Sequence, residues 1–304
     1  MIMKQRIGIL LLATVILSTS LYSQRRQQQQ QPVVMVRGEY TFVVPENISR
    51  EQARRIAIER AREQALINEF GRKVSVSTAT VIRTENEESS IRLLSLGGSE
   101  ARGVWLEDIG TPLIEEFMDR GNFVIRVHNV RGNAAAITDA GIDFTAKTLR
   151  NGTCVSNQSL DFRDGNSIYL WFRSPRDGYL AVYLICDDIE TAFRLLPYRN
   201  DRTGRGAKRI IGGKEYVLFS REHAEPYELL MMDEYVMTAS RATEHNHLFV
   251  IFSPNEFTRA NDAPSDKAVL PNQLPYEDFR RWLARNRAWT QGLTYQVKLL
   301  TIRQ

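Results

Sequence analysis

The chain has 304 residues, of which 40 are Lys or Arg and 36 Asp or Glu, giving a formal charge of +4, and 43% of it is apolar. A balance so near neutral, with no clustered basic face, argues against nucleic-acid binding. The apolar fraction is enough for real cores, and the length exceeds one typical domain of roughly 100–150 residues, which points to two.

Lys4 and Arg6 precede an uncharged apolar run from Ile7 to Leu17, and Ser18, Thr19, Ser20 and Ser23 follow. That order of charge, apolar stretch and small residues predicts a secretory signal peptide over residues 1–23, cut after Ser23. The run falls short of the about 20 residues that span a bilayer, and an uncleaved N-terminal anchor is the alternative reading. No Cys follows the cut, so a lipoprotein anchor has no attachment point there, and no later segment is long and apolar enough to be a span. The expected location is outside the cytoplasm of a Gram-negative bacterium, in the periplasm or associated with the outer membrane or the cell exterior. Residues 24–32, QRRQQQQQP, cannot bury surface and read as a disordered tether.

The predicted fold class is α+β: a small strand-helix-strand-hairpin domain over residues 33–133, a linker over 134–141, and a mainly β, sandwich-like domain over 142–304 with one C-terminal helix. Val34, Val36, Tyr40, Phe42 and Val44 alternate along a first strand ending at Pro45. Ser49 with Gln52 has capping-box spacing and opens a helix that closes before Gly71. Ala53, Ala57, Ala61 and Ala65 recur every four residues as a narrow methyl stripe, which predicts a helix lying close on a sheet. Arg54, Arg55, Glu59, Arg62 and Glu63 read as its solvated face. Val74 to Ile82 reads as a strand, residues 84–103 as a polar loop, and Val104–Phe117 and Asn122–Val130 as strands turned at Asp119-Arg120-Gly121.

In the second unit, Ile168–Arg173 and Tyr179–Cys186 are nearly all apolar, so each should be covered on both faces. The short turn Pro175–Gly178 predicts that they pair directly. Further strands are expected at Ala192–Leu196, Tyr216–Phe219, Tyr235–Ala239, Leu248–Phe252 and Thr294–Ile302. A helix from Tyr276 to about Arg285 carries Phe279, Trp282 and Leu283 on one face.

Candidate chemistry is sparse, and no catalytic residue, cofactor or metal is called for. His245 and His247 share a strand face and, with Glu244 nearby, are the candidate metal ligands, but no HExxH or similar frame supplies the rest. Cys154 and Cys186 are a possible disulfide or two small buried hydrophobes. Asp187-Asp188 and Asp233-Glu234 are adjacent pairs that point to opposite faces, which suits paired acid–base work poorly. Asp161, Asp164, Gly165 and Asn166 depart from calcium-loop spacing and read as a β-turn. Gly204, Gly206, Gly212 and Gly213 with Arg202, Arg205, Lys208 and Arg209 form a basic stretch that reads as an exposed loop or, alternatively, an anion site.

Residues 142–304 resemble the DUF4384 family, a bacterial envelope domain of unknown function, through GNSIYLWFRSPRDGYLAVYL from Gly165, LLPY from Leu195, EYVMTAS from Glu234, IFSPNEF from Ile251 and FRRWL from Phe279. The resemblance implies a β-sandwich-like domain outside the cytoplasm and brings no catalytic residues. Residues 36–131 resemble the N-terminal domain of flagellar assembly protein T and related outer-membrane lipoproteins through a first strand, ARRIAIERAREQAL from Ala53 and the Val74–Ile82 strand. That resemblance implies a scaffold or assembly role, and the missing lipoprotein cysteine departs from it.

The reading favoured by the sequence is a non-enzymatic exported envelope protein acting as an interaction or assembly module, with another envelope protein as partner. The alternative is an envelope hydrolase or a glycan-processing or glycan-binding protein, the last using exposed Trp105, Trp289 or Tyr198 as a platform.

Overall fold

The computed structural model describes residues 32–45, 48–71, 101–137, 141–186, 190–201, 205–265 and 270–304. The signal peptide, nearly all of the tether, the Val74–Ile82 strand, most of the 84–103 loop and Asp187-Asp188 fall outside them. The described chain is mainly β with two long helices, and Val33–Gln304 packs as one compact unit. Among the described residues no helix is long and apolar enough to cross a membrane.

The first region is a helix on a sheet. Strand β1 (Val33–Val43) pairs antiparallel with β4 (Asn122–Ala136), whose other edge holds β2 (Gly103–Asp108) and β3 (Leu113–Asp119). The stretch expected as one strand over 104–117 is two, because the chain turns at Gly110 (φ 75°) before Pro112. The hairpin after β3 closes on Arg120 (φ 50°) and Gly121 (φ 83°), two left-handed positions as a tight twisted hairpin requires.

Helix α1 (Arg50–Phe70) begins where its cap predicts. The Gln52 backbone N–H donates to Ser49 Oγ at 3.2 Å, and Ser49 N–H donates to Gln52 Oε1 at 2.8 Å. Gly71 ends it, donating to the Ile67 carbonyl. Ala53, Ala57, Ala61 and Ala65 are all buried against the sheet. Contact is so close that a Cβ added at Gly38 on β1 would sit 2.1 Å from the Ala61 carbonyl oxygen. Ala61→Leu is therefore expected to overpack and cost about 1–3 kcal/mol, read as a shifted urea midpoint. An unchanged midpoint would mean the stripe has room that this packing denies it.

The second region is a sandwich. One sheet centres on β7 (Ser167–Arg173), flanked by β5 (Thr145–Arg150) on one edge and β11 (Glu215–Leu218) and β12 (Tyr235–Val236) on the other. The second runs β14-β9-β8-β13-β15-β6, with β10 also on β8. Its strands are β6 (Asp161–Arg163), β8 (Gly178–Cys186), β9 (Thr191–Leu196), β10 (Lys208–Ile210), β13 (Thr243–Ser253), β14 (Gln273–Pro275) and β15 (Thr294–Arg303). Leu170, Phe172, Leu180, Val182, Leu248, Val250 and Phe252 fill the space between the sheets.

The expected direct pairing of β7 with β8 is wrong. They lie in opposite sheets and face each other across the core. Each is apolar on both faces and takes neighbours on both edges, so each becomes the centre of its own sheet. The turn between them is pinned elsewhere: Ser174 O accepts from Gly213 N–H, and Asp177 Oδ1 accepts from Gly212 N–H.

Helix α2 (Tyr276–Trp289) covers the outer face of the larger sheet, setting Phe279, Trp282 and Leu283 on Tyr183, Phe249 and Ile251. Its other side packs Ala284 and Ala288 on Val104 and Leu106 of β2 and on Ala135 of β4, so one helix belongs to both regions. Ala134 and Ala135 are fully buried in β4, which therefore takes the first three residues of the expected 134–141 linker.

Charges reinforce the same contact and correct the solvated-face reading of α1. Glu59 accepts from Arg62 and, at 3.4 Å, from Arg280 of α2. Arg62 reaches Asp108 on β2 at 2.7 Å and lies over the Trp105 ring. Burial pushes the Glu59 carboxyl above its usual range in spite of both arginines. Arg54 and Arg55 stay half exposed, so only part of that face meets solvent.

Candidate interaction surface

The segment Glu225-Pro-Tyr-Glu-Leu-Leu-Met-Met232 crosses between β11 and β12 as tight turns. Pro226 presets the entry, Glu228 N–H donates to Glu225 O at 2.8 Å, and Glu228 O accepts from the N–H groups of Met231 and Met232. The Glu228 side chain turns inward to an ion pair with Lys208 of β10, both nearly covered. Burial pushes the Lys208 ammonium down to about 8, and it sits 6.0 Å over the Tyr216 ring. On the solvent side Lys214 meets Glu225 at 2.5 Å. That hydrogen bond raises the Lys214 pKa and lowers that of Glu225. Met232 is buried in the sandwich core.

Glu225, Glu228 and Met232 thus hold the backbone while the residues between them project. Tyr227 is 68% exposed, Leu229 40% and Leu230 91%. The turn after β10, which joins Lys208 to Lys214, adds exposed Ile211, whose N–H donates to the Tyr216 hydroxyl. Large apolar side chains held out on an anchored backbone mark a contact surface more than a fold requirement. In the sequence, an apolar run too short for a helix, entered through a proline and bracketed by acids, was the available signal.

Among the described residues of the basic stretch, two of the cations already face carboxylates. Arg202 and Gly204 lie outside the described residues. Lys208 is engaged with Glu228, and Arg205 faces Glu256 at 3.9 Å. Gly206 and Gly212 serve close backbone approach, since a Cβ at either would lie within 2.7 Å of neighbouring backbone.

His245 and His247 do share a face of β13, but Glu244 points to the other side, where it accepts from Ser240 and Arg241. His245 Nδ1 lies 3.4 Å from Thr301 Oγ1, and His247 is buried. Among the described residues no three His, Cys, Asp or Glu side chains gather as a metal set. Cys154 and Cys186 are free thiols. The first is exposed in the connection leading to β6 and the second ends β8, with β13 and β15 between those strands. A bridge needs Cα atoms within about 7 Å. Asp233 accepts from Arg199 and Glu234 from Arg221, so that pair serves two different loops. Asn166 N–H donates to the Arg163 carbonyl at 3.0 Å across Gly165 (φ 82°), closing a β-turn, while Asn166 Oδ1 accepts from Arg163 N–H and Asp164 Oδ1 accepts from Ala239 N–H. His128 pairs with Glu115 at 3.2 Å on β3, and His223 Nδ1 lies 3.1 Å from Ser220 Oγ.

Of the three alternative aromatics for a glycan platform, Trp289 alone is exposed, at 39%. Tyr198 is buried in the core, Trp105 donates to Asp108 beneath Arg62, and Trp289 ends α2.

One further polar cluster is fully enclosed. Arg194 of β9 donates from Nε to Asp262 Oδ2 at 2.9 Å and from Nη1 to the Pro197 carbonyl at 2.7 Å, with neither charged side chain exposed. Arg259 adds a bond to Asp262 Oδ1 at 3.2 Å. This pair fastens the long 254–272 crossing to the outer face of the sheet. The sequence showed Arg194 only as one polar residue inside the expected Ala192–Leu196 strand. No family model, no curated protein and no solved structure matches the chain.

Proposed function

We propose that the chain is a non-enzymatic exported cell-envelope protein that works as an interaction or assembly module. The observation that carries this reading is the anchored turn presenting Tyr227, Leu229 and Leu230, with Leu230 91% exposed on a backbone held by a buried ion pair. Exposed leucines on a rigid turn gain by being covered and lose little conformational entropy when they are. Export rests on the N-terminal order of charge, apolar run and small residues, and a binding role in the envelope agrees with the family resemblances described above.

The test combines fractionation with site-specific photo-crosslinking in cells. The protein is expected in the osmotic-shock or envelope fraction with Met1 to Ser23 removed. A crosslinker at position 230 should give one discrete adduct, and a crosslinker at exposed Val155 should not. Leu229→Ser together with Leu230→Ser should weaken capture of that adduct, monitored from a second crosslinker at Tyr227, by about tenfold or more. Cytoplasmic protein with an intact N-terminus would overturn the location, and equal labelling at 155 and 230 would overturn the surface.

A further inference from the structure

Strand β1 is, among the described residues, one edge of the first sheet. It is 11 residues long, contains no proline, and alternates without interruption: Val33, Met35, Arg37, Glu39, Thr41 and Val43 are exposed, and the residues between them are covered in whole or part. The irregularity in its pairing lies on β4, where Asn129 (φ 55°) takes up an extra residue, so the β1 backbone stays regular. Proteins usually blunt a long edge with a bulge, a proline or repelling charge, because an unblunted edge is a template for another strand. Here three of the chain's exposed large apolar residues lie along it.

The β1 sequence is complementary to itself about Gly38. Laid antiparallel on a second copy with Gly38 opposite the partner's Gly38, Val33 faces the partner's Val43 and Met35 faces the partner's Thr41. Arg37 then faces the partner's Glu39, and symmetry repeats every pair. Opposite charges directly across a strand pair stabilise it, and like charges oppose it. Helix α1 packs most extensively on β1 and also on β4 and β2, and it covers one face of the sheet while the hydrogen-bonding edge of β1 lies to the side.

We propose that two copies of this chain associate through β1, in an antiparallel two-fold pairing centred on Gly38 that joins their first sheets. A symmetric contact of this kind closes on itself and stops at two copies. One strand pair buries less than the about 1,600 Å² of a standard stable interface, so the dimer is a weak one that dissociates on dilution. The surface is separate from the Tyr227–Leu230 turn and does not depend on its role.

Sedimentation of the purified protein over a range of concentrations tests this. The wild type is expected to show a reversible monomer–dimer equilibrium. Arg37→Glu sets acid against acid at both ends of the pairing, and Glu39→Arg sets base against base. Each should weaken association about tenfold or more, while the combined Arg37→Glu and Glu39→Arg protein should return to near wild-type association. Both side chains are exposed, so circular dichroism should show all three variants folded. Leu229→Ser with Leu230→Ser should leave the equilibrium unchanged. A monomer at every concentration, a dimer indifferent to the single changes, or a double variant as weak as the singles would each overturn the proposal.

Discussion

Asp262→Ala is expected to destabilise the protein by about 3–5 kcal/mol, because it leaves the Arg194 guanidinium enclosed without its counter-charge. Neither side chain of the pair is exposed, so water cannot replace the lost carboxylate without opening the 254–272 crossing. Arg194 would keep its bond to the Pro197 carbonyl, but a carbonyl dipole does not neutralise a charge. Pairing Asp262→Ala with Arg194→Met should cost less than Asp262→Ala alone, since both charges are then gone. A pH dependence accompanies this. Burial pushes the Asp262 carboxyl up, but Arg194, with hydrogen bonds from Asn272 and Arg259, outweighs it and holds the pKa below the usual aspartate value. A depressed folded pKa means its contribution is complete above about pH 4 and is lost as pH falls through the lowered value. Urea titrations of the wild type and both variants measure it. A loss under about 1 kcal/mol in Asp262→Ala would show that the crossing is held by its apolar contacts instead.

What the sequence made legible was local. The Ser49–Gln52 cap, the alanine stripe and the Arg120-Gly121 turn are each set by residues within a few positions of one another, and all three stand as expected. Long-range choices were not legible. A four-residue turn can close a hairpin or carry the chain from one sheet to the other, and Pro175–Gly178 is compatible with both. What decides is the occupancy of β8 by β13, β9 and β10, strands that follow it in the chain. The charged face of α1 differs from its solvated expectation for the same reason. Glu59 and Arg62 look like ordinary surface until Arg280, 221 residues beyond Glu59, comes to meet them. The projecting turn and the Arg194–Asp262 pair carry no motif at all. Their meaning lies in which side chains are enclosed and which are not, and spacing does not encode that.

Trp282→Ala is expected to cost about 3–5 kcal/mol, as large-to-small changes in a packed core do. The indole lies 5.1 Å from the Tyr183 ring and 5.7 Å from that of Phe279, and Nε1–H donates to the Thr258 carbonyl at 2.8 Å. Truncation therefore opens a cavity under α2 and leaves that carbonyl without its donor. The position of α2 makes the consequence wider than a local cavity. Ala284 and Ala288, on the side of the helix away from the sandwich, pack on Val104 and Leu106, and Arg280 reaches across to Glu59. Loosening the helix from the larger sheet therefore also loosens it from β2. Hydrogen exchange on the variant should show backbone amides of β2 losing protection together with those of α2, although Trp282 belongs to the cluster on the sandwich side of the helix and Val104 and Leu106 to the other. If α2 opened while β2 kept wild-type protection, the two regions would be energetically separate in spite of the helix they share. If the protein kept its full stability, Trp282 would be a surface residue that happens to be covered, and the helix would be free to serve as a binding face.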